Sequence, residues 1–193
     1  MTVSPTASSE PAPYPRELER TVTLRDGAAV RVRPIRSDDA ERLIALYERF
    51  SHHTAYHRFF TVMRRLPPDW ARLLATVDYR RRLALVAEHD TPRGVELVGV
   101  ARYEPTERED TAEVAFALED AWQNRGLGTM LFTDLLAAAE ARGIRRFVAF
   151  VLADNRRMLD MVTRFGDVER RSIAQGVVEI VFTRRRAAPS APR

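Results

Sequence analysis

The chain contains no cysteine and no lysine among its 193 residues. Without cysteine, the protein has no disulfide bond, no thiolate nucleophile and no cysteine-based metal site. Without lysine, it cannot carry the Walker loop, in which a lysine contacts the phosphates of a nucleotide. The longest apolar run, Phe147 to Ala153, is far shorter than the ~20 residues that span a membrane. Because the N-terminus has no apolar signal-peptide core, we predict a cytoplasmic protein with no membrane partner.

An excess of either charge is missing from the body of the chain. The net charge is +4, with 31 basic residues, all of them arginine, against 27 acidic residues. Four of the arginines follow the last apolar segment, namely Arg184, Arg185, Arg186 and Arg193. The remaining basic and acidic residues balance, so the sequence predicts no nucleic-acid partner and favours a basic tail instead.

The composition predicts one globular domain between two flexible ends. Hydrophobic residues make up 45% of the chain and charged residues 30%, which is typical of a domain with a core of ordinary size. Several prolines stand among small polar residues near the N-terminus, which predicts disorder there. We therefore predict a disordered leader over 1–17, a single domain over 18–183 and a disordered basic tail over 184–193.

The first part of the domain predicts a hairpin followed by a helix. Thr21 to Leu24 and Val30 to Arg33 flank an Asp-Gly turn, which predicts a hairpin or a bent first strand. In the next segment, Asp38 and Glu41 have the spacing of a capping box at a helix start. Further strands are predicted at Leu83 to Glu88, Val95 to Tyr103 and Phe147 to Ala153, and a final hairpin is predicted at Ile173 to Ala174 and Val177 to Phe182.

The stretch from Glu113 to Gly143 combines a strand, a glycine-bearing loop and a helix. Glu113 to Leu118 is short and apolar after its first residue, as a buried strand is. The loop Gln123-Asn124-Arg125-Gly126-Leu127-Gly128 follows, and apolar residues then recur with helical spacing. Free backbone N–H groups and the positive end of a helix dipole meet at such a junction, which suits a phosphate or pyrophosphate. A glycine-rich tight turn without a ligand explains the same pattern equally well.

The loop resembles a known signature in the context of its neighbours. Gln123-Asn124-Arg125-Gly126-Leu127-Gly128 is similar to the (Arg/Gln)-x-x-Gly-x-(Gly/Ala) acyl-CoA signature of the GNAT superfamily of N-acetyltransferases, and the resemblance covers roughly Val30 to Phe182. It implies an α/β (α+β) GNAT fold with a mixed, mostly antiparallel sheet of about six to seven strands, a splayed central parallel pair and about four flanking helices. It also implies acetyl-CoA as co-substrate, bound by Phe116, Ala117, Leu118, Gln123, Asn124, Arg125, Gly126, Leu127, Gly128, Thr129, Asn155 and Met158.

Glu113 is the candidate catalytic base. An ammonium must lose a proton before it attacks a thioester, and a carboxylate partly surrounded by apolar groups has a pKa raised toward a useful value. By the resemblance, the backbone N–H near Ala117 stabilises the developing oxyanion. The family's usual proton donor to the leaving thiolate is a tyrosine, but this chain has Val162 there. A glutamate at the start of a strand is often merely exposed to solvent, and this alternative stays open.

A second segment indicates the acceptor. Ser51 to Phe60 resembles the Ser-x-x-(Ser/Thr)-x-Tyr-x-Arg-Phe-Phe stretch of bacterial protein lysine acetyltransferases. The resemblance implies that Tyr56, Arg58 and Phe59 border the acceptor. The histidines of this segment have no Asp, Glu or Cys at ligand spacing nearby, so we expect no metal. Glu104 to Asp110 is an acidic loop that, by hypothesis, draws a cationic acceptor toward the site.

Three function classes follow from these observations. The favoured one is a protein lysine N-acetyltransferase, a monomer or homodimer whose partners are acetyl-CoA and a lysine-bearing protein. The second is a GNAT enzyme that acetylates a small amine or amino acid. The third is a non-catalytic module that senses acetyl-CoA. No acyl-enzyme is expected, because cysteine is absent and direct transfer needs no nucleophile.

Overall fold

The computed structural model describes residues 12–61 and 63–185, and within them an eight-stranded sheet is flanked by five α-helices. The strands are β1 (Arg20–Thr23), β2 (Ala29–Pro34), β3 (Leu83–Thr91), β4 (Gly94–Pro105), β5 (Thr111–Leu118), β6 (Arg146–Leu152), β7 (Gly166–Ala174) and β8 (Val177–Arg184). The helices are α1 (Ala40–Glu48), α2 (His52–Phe59), α3 (Pro68–Ala75), α4 (Leu127–Glu140) and α5 (Arg156–Phe165). Short 3₁₀ turns lie at Arg16–Leu18, Ser37–Asp39 and Asp120–Trp122.

The sheet is mixed and mostly antiparallel. Its strand order is β1-β2-β3-β4-β5-β6-β8-β7, and β5 and β6 form a central parallel pair joined through α4. This confirms the predicted architecture, although the sheet has one or two strands more than expected and one helix more. The edge strand β7 is exposed from its second residue onward. With no buried face, β7 shows no alternation of apolar and polar residues. The sequence therefore predicted only the last two residues of this strand, Ile173 and Ala174.

The helices cover both faces of the sheet. α4 and α5 pack on one face, where Phe132 and Val162 are buried. α1 and α3 cover the other face, and α2 lies beside β5 on this second side. Successive side chains of a strand point to opposite faces. Because Val114 packs in the α4 core, the side chain of Glu113 points to the α2 side.

The parallel strands separate soon after they pair. Their register runs from Thr111 opposite Arg146 to Glu113 opposite Val148, whereas β5 continues to Leu118 and β6 to Leu152. The confirmed splay therefore begins at Glu113, and the rest of β5 borders an open cleft.

A buried ion cluster connects α1 to β2 and β3. Arg33, which is 1% exposed, donates from Nη2 to Asp39 Oδ1 at 2.7 Å and from Nε to Glu88 Oε1 at 2.8 Å. Burial alone would raise the pKa of both carboxyls, but the bonds from Arg33 outweigh it and hold both pKa values below their usual range.

The predicted capping box of Asp38 and Glu41 is wrong. The carboxylate of Asp39 instead accepts a hydrogen bond from the backbone N–H of Arg36, just before the 3₁₀ turn Ser37–Asp39, at 2.8 Å.

Residues just outside both predicted domain limits contact the body of the domain. Within the proposed leader, Ala12 N donates to Asp78 O at 2.9 Å, and the Tyr14 ring packs edge-on against Tyr79 with centroids 5.6 Å apart. At the other end, Arg184 closes β8 and its Nη1 donates to Glu140 at 2.8 Å. The rest of the proposed leader and tail, 1–11 and 186–193, lies outside the described residues. Within the described part of the chain, no helix is both long and apolar enough to cross a membrane.

Candidate active site

A cavity of about 800 Å³ opens where β5 and β6 separate. Its walls come from β5, β6, α2, the loop before α4 and the whole length of α5. The fold thus brings together segments that are far apart in sequence. Ten of the predicted cofactor-binding residues line this cavity, namely Phe116, Ala117, Leu118, Gln123, Asn124, Gly126, Gly128, Thr129, Asn155 and Met158.

Two predicted cofactor-binding side chains point elsewhere. Leu127 is fully buried in the core beneath α4. The Arg125 guanidinium lies 4.3 Å from the ring centroid of Trp122 and pairs with Asp26. The signature alone could not separate these residues from their neighbours, because side chains in a loop have no fixed alternation of direction.

The loop before α4 forms one end of the cavity. Gly126 precedes the helix with φ at +91°, a left-handed conformation that suits glycine. Gly128 packs closely against β5, because an added Cβ at this position would lie only 3.1 Å from Leu118 Cδ1. No side chain in the described residues caps α4, so its first N–H groups are available to a ligand. Gln123 fixes the loop, because its Nε2 donates to Thr54 Oγ1 at 3.1 Å.

Four arginines that the sequence analysis did not assign also line the cavity: Arg25, Arg156, Arg157 and Arg164. Arg157 Nη1 donates to Gln123 Oε1 at 2.8 Å and so ties α5 to the loop across the cleft. Asp154 and Asp160 line the same cavity, but the arginines outnumber them, and an excess of positive charge favours a phosphate-bearing ligand. Arg156 and Arg157 directly follow Asn155, which was predicted to bind the cofactor. Their position in the sequence could therefore have identified them as cavity residues. Arg25 comes from the β1–β2 turn, which only the tertiary fold brings here.

α2 and α5 approach each other over the same cavity. Asn155 Oδ1 accepts from Met158 N at 3.2 Å and caps the start of α5. His57 Nε2 lies 3.1 Å from Asp154 Oδ1, and His57 Nδ1 lies 2.9 Å from His53 O. These two contacts hold the His57 ring between α2 and the residue just before the start of α5. No group of three or more metal-ligating side chains converges anywhere in residues 12–61 and 63–185.

Glu113 stands on the cavity wall where the pairing of β5 with β6 ends. Its side chain is exposed, as required of a base that meets an incoming amine. Partial withdrawal from bulk water raises the pKa of Glu113, while the Arg58 guanidinium opposes this shift and the Glu104 carboxylate adds to it. Ala117 follows on the same strand and lines the same cavity. The candidate base and the candidate oxyanion site therefore share one wall.

Arginines compensate the other carboxylates near Glu113. Glu104 lies directly opposite Glu113 in the β4–β5 register. It accepts from Arg102 Nε at 2.8 Å and from Arg82 Nε at 2.6 Å. Asp110, at the far end of the same segment, is paired with two arginines as well. Glu104 belongs to β4 rather than to the loop, and the compensated charges give no support to the hypothesis that this segment attracts a cation.

The three predicted acceptor residues separate. Tyr56 is 43% exposed and packs edge-on against His57 outside the cavity lining. Phe59 packs in the core between the sheet and helices α1 and α3, with its ring centroid 5.5 Å from that of Tyr47. Arg58 alone of the three lines the cavity, together with the unassigned Phe60. Consecutive helical residues point in different directions, so one α2 segment serves both core and cavity.

The position expected for the proton donor offers none. Val162 is fully buried on the core side of α5. Among the described residues that line the cavity there is no tyrosine.

Comparison with known proteins decides the family. Residues 43–167, more than half of the chain, match the family model described as the acetyltransferase (GNAT) family. The chain belongs to the GNAT acetyltransferase family. This GNAT protein is thus an acetyl-CoA-dependent N-acetyltransferase, and its forked, mixed sheet is the GNAT fold.

Two curated relatives resemble the GNAT chain over most of its length. It is 31% identical over 149 residues to acetyltransferase PA5475 of Pseudomonas aeruginosa, and the matched segment covers 77% of this chain and 80% of that protein. It is 35% identical over 150 residues to acetyltransferase Pat of Mycolicibacterium smegmatis, which covers 76% of this chain but 44% of Pat. The chain therefore spans less than half the length of Pat.

Solved structures agree with this assignment. The GNAT domain of S. lividans PAT has a TM-score of 0.78 and 39% identity, covering 88% of this chain and 99% of that domain. A cAMP-binding acyltransferase from Mycobacterium smegmatis has a TM-score of 0.59 and 26% identity, covering 90% of this chain and 50% of its own. The structure of yncA from Salmonella typhimurium with its cofactor acetyl-CoA has a TM-score of 0.61 at 18% identity, covering 84% of this chain and 99% of its own. This last likeness concerns the fold alone.

Proposed function

We propose that this GNAT enzyme transfers the acetyl group of acetyl-CoA to the lysine side chain of a protein, with Glu113 as general base. The observation that carries the proposal is the position of Glu113, on the wall of a forked cleft whose other end is an uncapped helix N-terminus. The likeness to the acetyltransferase Pat and to the GNAT domain of S. lividans PAT favours a protein acceptor. We place the reaction in the cytoplasm.

The two ends of the cleft suit the two ends of acetyl-CoA. At one end, the N–H groups of Gly128 and Thr129 would bind the diphosphate, assisted by the positive charges of Arg25 and Arg156. The open edge of β5 beyond Glu113 would pair with the amide groups of the pantetheine arm, since a splayed strand has free N–H and C=O groups. This arrangement directs the thioester toward the end of the cleft where Glu113 stands.

The chemistry is direct transfer. Glu113 accepts a proton from the lysine ammonium, either in contact or through one water, and the free amine attacks the thioester carbonyl. The backbone N–H of Ala117 stabilises the oxyanion that forms. The carbon–sulfur bond then breaks, the amine nitrogen releases its second proton, and the thiolate takes a proton from water, because Val162 supplies none. The products are the amide, CoA thiol and one proton.

The pH dependence of kcat is expected to follow the protonation of Glu113. Because partial withdrawal from bulk water raises the pKa of Glu113, activity falls as the pH drops through this raised pKa, at a higher pH than for an ordinary glutamate. Arg58 lowers the pKa of Glu113, so Arg58→Gln moves the acidic limb to higher pH. A pH profile of kcat for both proteins checks this. A limb that does not move would contradict the assignment of Glu113 as the base.

Mass spectrometry separates the proposed function from its alternatives. The purified protein is incubated with acetyl-CoA and either candidate acceptor proteins or a panel of small amines and amino acids. The proposal predicts a gain of one acetyl group on specific lysines of a protein acceptor. Acetylation of small amines alone would favour the second function class and overturn the proposal. Binding of acetyl-CoA without any turnover would favour a sensing module.

A further inference from the structure

Arg58 is a cation of the cavity that has no ion-pair or side-chain hydrogen-bond partner in the described residues. Its guanidinium lies 4.9 Å from the ring centroid of Phe59 and makes no ion pair or side-chain hydrogen bond with the rest of the described protein. Its neighbours Arg82 and Arg102, in contrast, are both engaged by Glu104. No buried side-chain polar atom of the described residues lacks a partner, so the Arg58 nitrogens are open to the cavity.

The electrostatic surroundings of Arg58 call for an anion. Burial lowers its pKa to about 10, Arg102 adds to this shift, and Glu113 opposes it. Three guanidinium groups here, from Arg58, Arg82 and Arg102, face the two carboxylates of Glu104 and Glu113. A lysine ammonium that enters adds a further positive charge. A withdrawn guanidinium is stabilised when a carboxylate pairs with it.

The position of Arg58 assigns this anion to the acceptor. α2 runs along the cleft from Thr54, which is bonded to Gln123 of the phosphate-binding loop, to Arg58 on the side of Glu113. Glu113 receives the amine at this end. A group that meets Arg58 is therefore close to the carboxylate of Glu113 and to the reacting nitrogen.

We propose that Arg58 is a specificity-determining residue that binds a carboxylate of the acceptor, so that the enzyme selects lysines with an aspartate or glutamate close by. This rests on the proposed function of the same site and narrows its substrate class. The acceptor then brings one positive and one negative charge, which pair with Glu113 and Arg58 respectively. Arginine suits this task because its planar fork can form two parallel hydrogen bonds with a carboxylate.

Matched peptides test the proposal. Each peptide carries one lysine, and either glutamate or glutamine stands within two residues of it on either side. For the wild type, we expect at least one glutamate position to give a kcat/KM roughly tenfold or more above its glutamine counterpart. Arg58→Gln is expected to reduce this ratio to about one, and Arg58→Glu to transfer the preference to peptides with arginine at that position. All assays are run on the plateau of each variant's pH profile.

The controls keep the outcomes distinct. Arg81→Gln removes an exposed arginine outside the cavity and should leave the ratio unchanged, and melting temperatures establish that each variant is folded. Should Arg58→Gln not fold, the wild-type ratio and Arg58→Lys still decide the matter. A wild type without preference for glutamate, or a preference that survives Arg58→Gln, overturns the inference while leaving acetyl transfer intact. Absence of transfer to every peptide and protein would instead overturn the proposed function.

Discussion

Glu113→Gln is expected to lower kcat by about 10²–10⁴-fold, because the amide cannot accept the proton of the acceptor ammonium. Glutamine has nearly the same shape, and Glu113 faces the cleft rather than the core. The affinity for acetyl-CoA and the melting temperature should therefore stay close to those of the wild type. Steady-state kinetics at saturating acceptor, combined with calorimetric titration of acetyl-CoA, measure both quantities.

Glu109→Gln provides the matched control. Glu109 is exposed in the segment between β4 and β5 and does not line the cavity, so its kcat should be that of the wild type. A change in kcat of less than about threefold for Glu113→Gln would contradict its role as base, since general-base catalysis contributes far more. A large loss of acetyl-CoA affinity in the same variant would indicate a binding role instead.

Arg33→Ala is expected to lower the free energy of unfolding by about 3–5 kcal/mol, because two buried carboxylates lose the buried guanidinium that bonds to both of them. Asp39 and Glu88 are 2% and 5% exposed, and the partly exposed Arg42 would remain as a charged partner of both. The loss should disconnect α1 from β3, away from the cavity. Urea denaturation of wild type and variant measures the difference.

An exposed ion pair shows what burial contributes. Arg31 Nη2 lies 3.1 Å from Glu19 Oε2 at the surface, so Arg31→Ala should change the stability by less than about 1 kcal/mol.

The effect of Arg33→Ala should also depend on pH. The pKa values of Asp39 and Glu88 are lowered in the folded state, so the stability from the cluster is present at neutral pH and is lost as pH falls through these lowered values. Equal effects of the two substitutions would contradict the account of the cluster.

The central unit of the fold was predictable because its parts are contiguous. A strand, a loop and a helix from Glu113 to Gly143 follow one another directly, and each has a local signal in residue spacing or glycine placement. The resemblance to the GNAT signature then implied the parallel pair and its splay. Both are present, and Glu113 lies where the splay begins.

The remaining parts of the site come from residues that only tertiary structure brings together. Arg25 reaches the cavity from the β1–β2 turn, and His57 meets Asp154 from the other side of the cleft. No local pattern reports such distances. The same limit explains the wrong capping box, because the carboxylate of Asp39 is engaged by Arg33, a residue of β2 whose burial the sequence did not indicate.

Calorimetric titration of acetyl-CoA into the wild-type protein tests the central claim most directly. The account predicts one binding site per chain with a dissociation constant of roughly 1 μM–1 mM. It also predicts marked weakening by Gly126→Val, because a branched side chain strains the backbone at φ +91°. A folded wild-type protein that gives no binding heat with acetyl-CoA or CoA at any temperature tried would contradict the account.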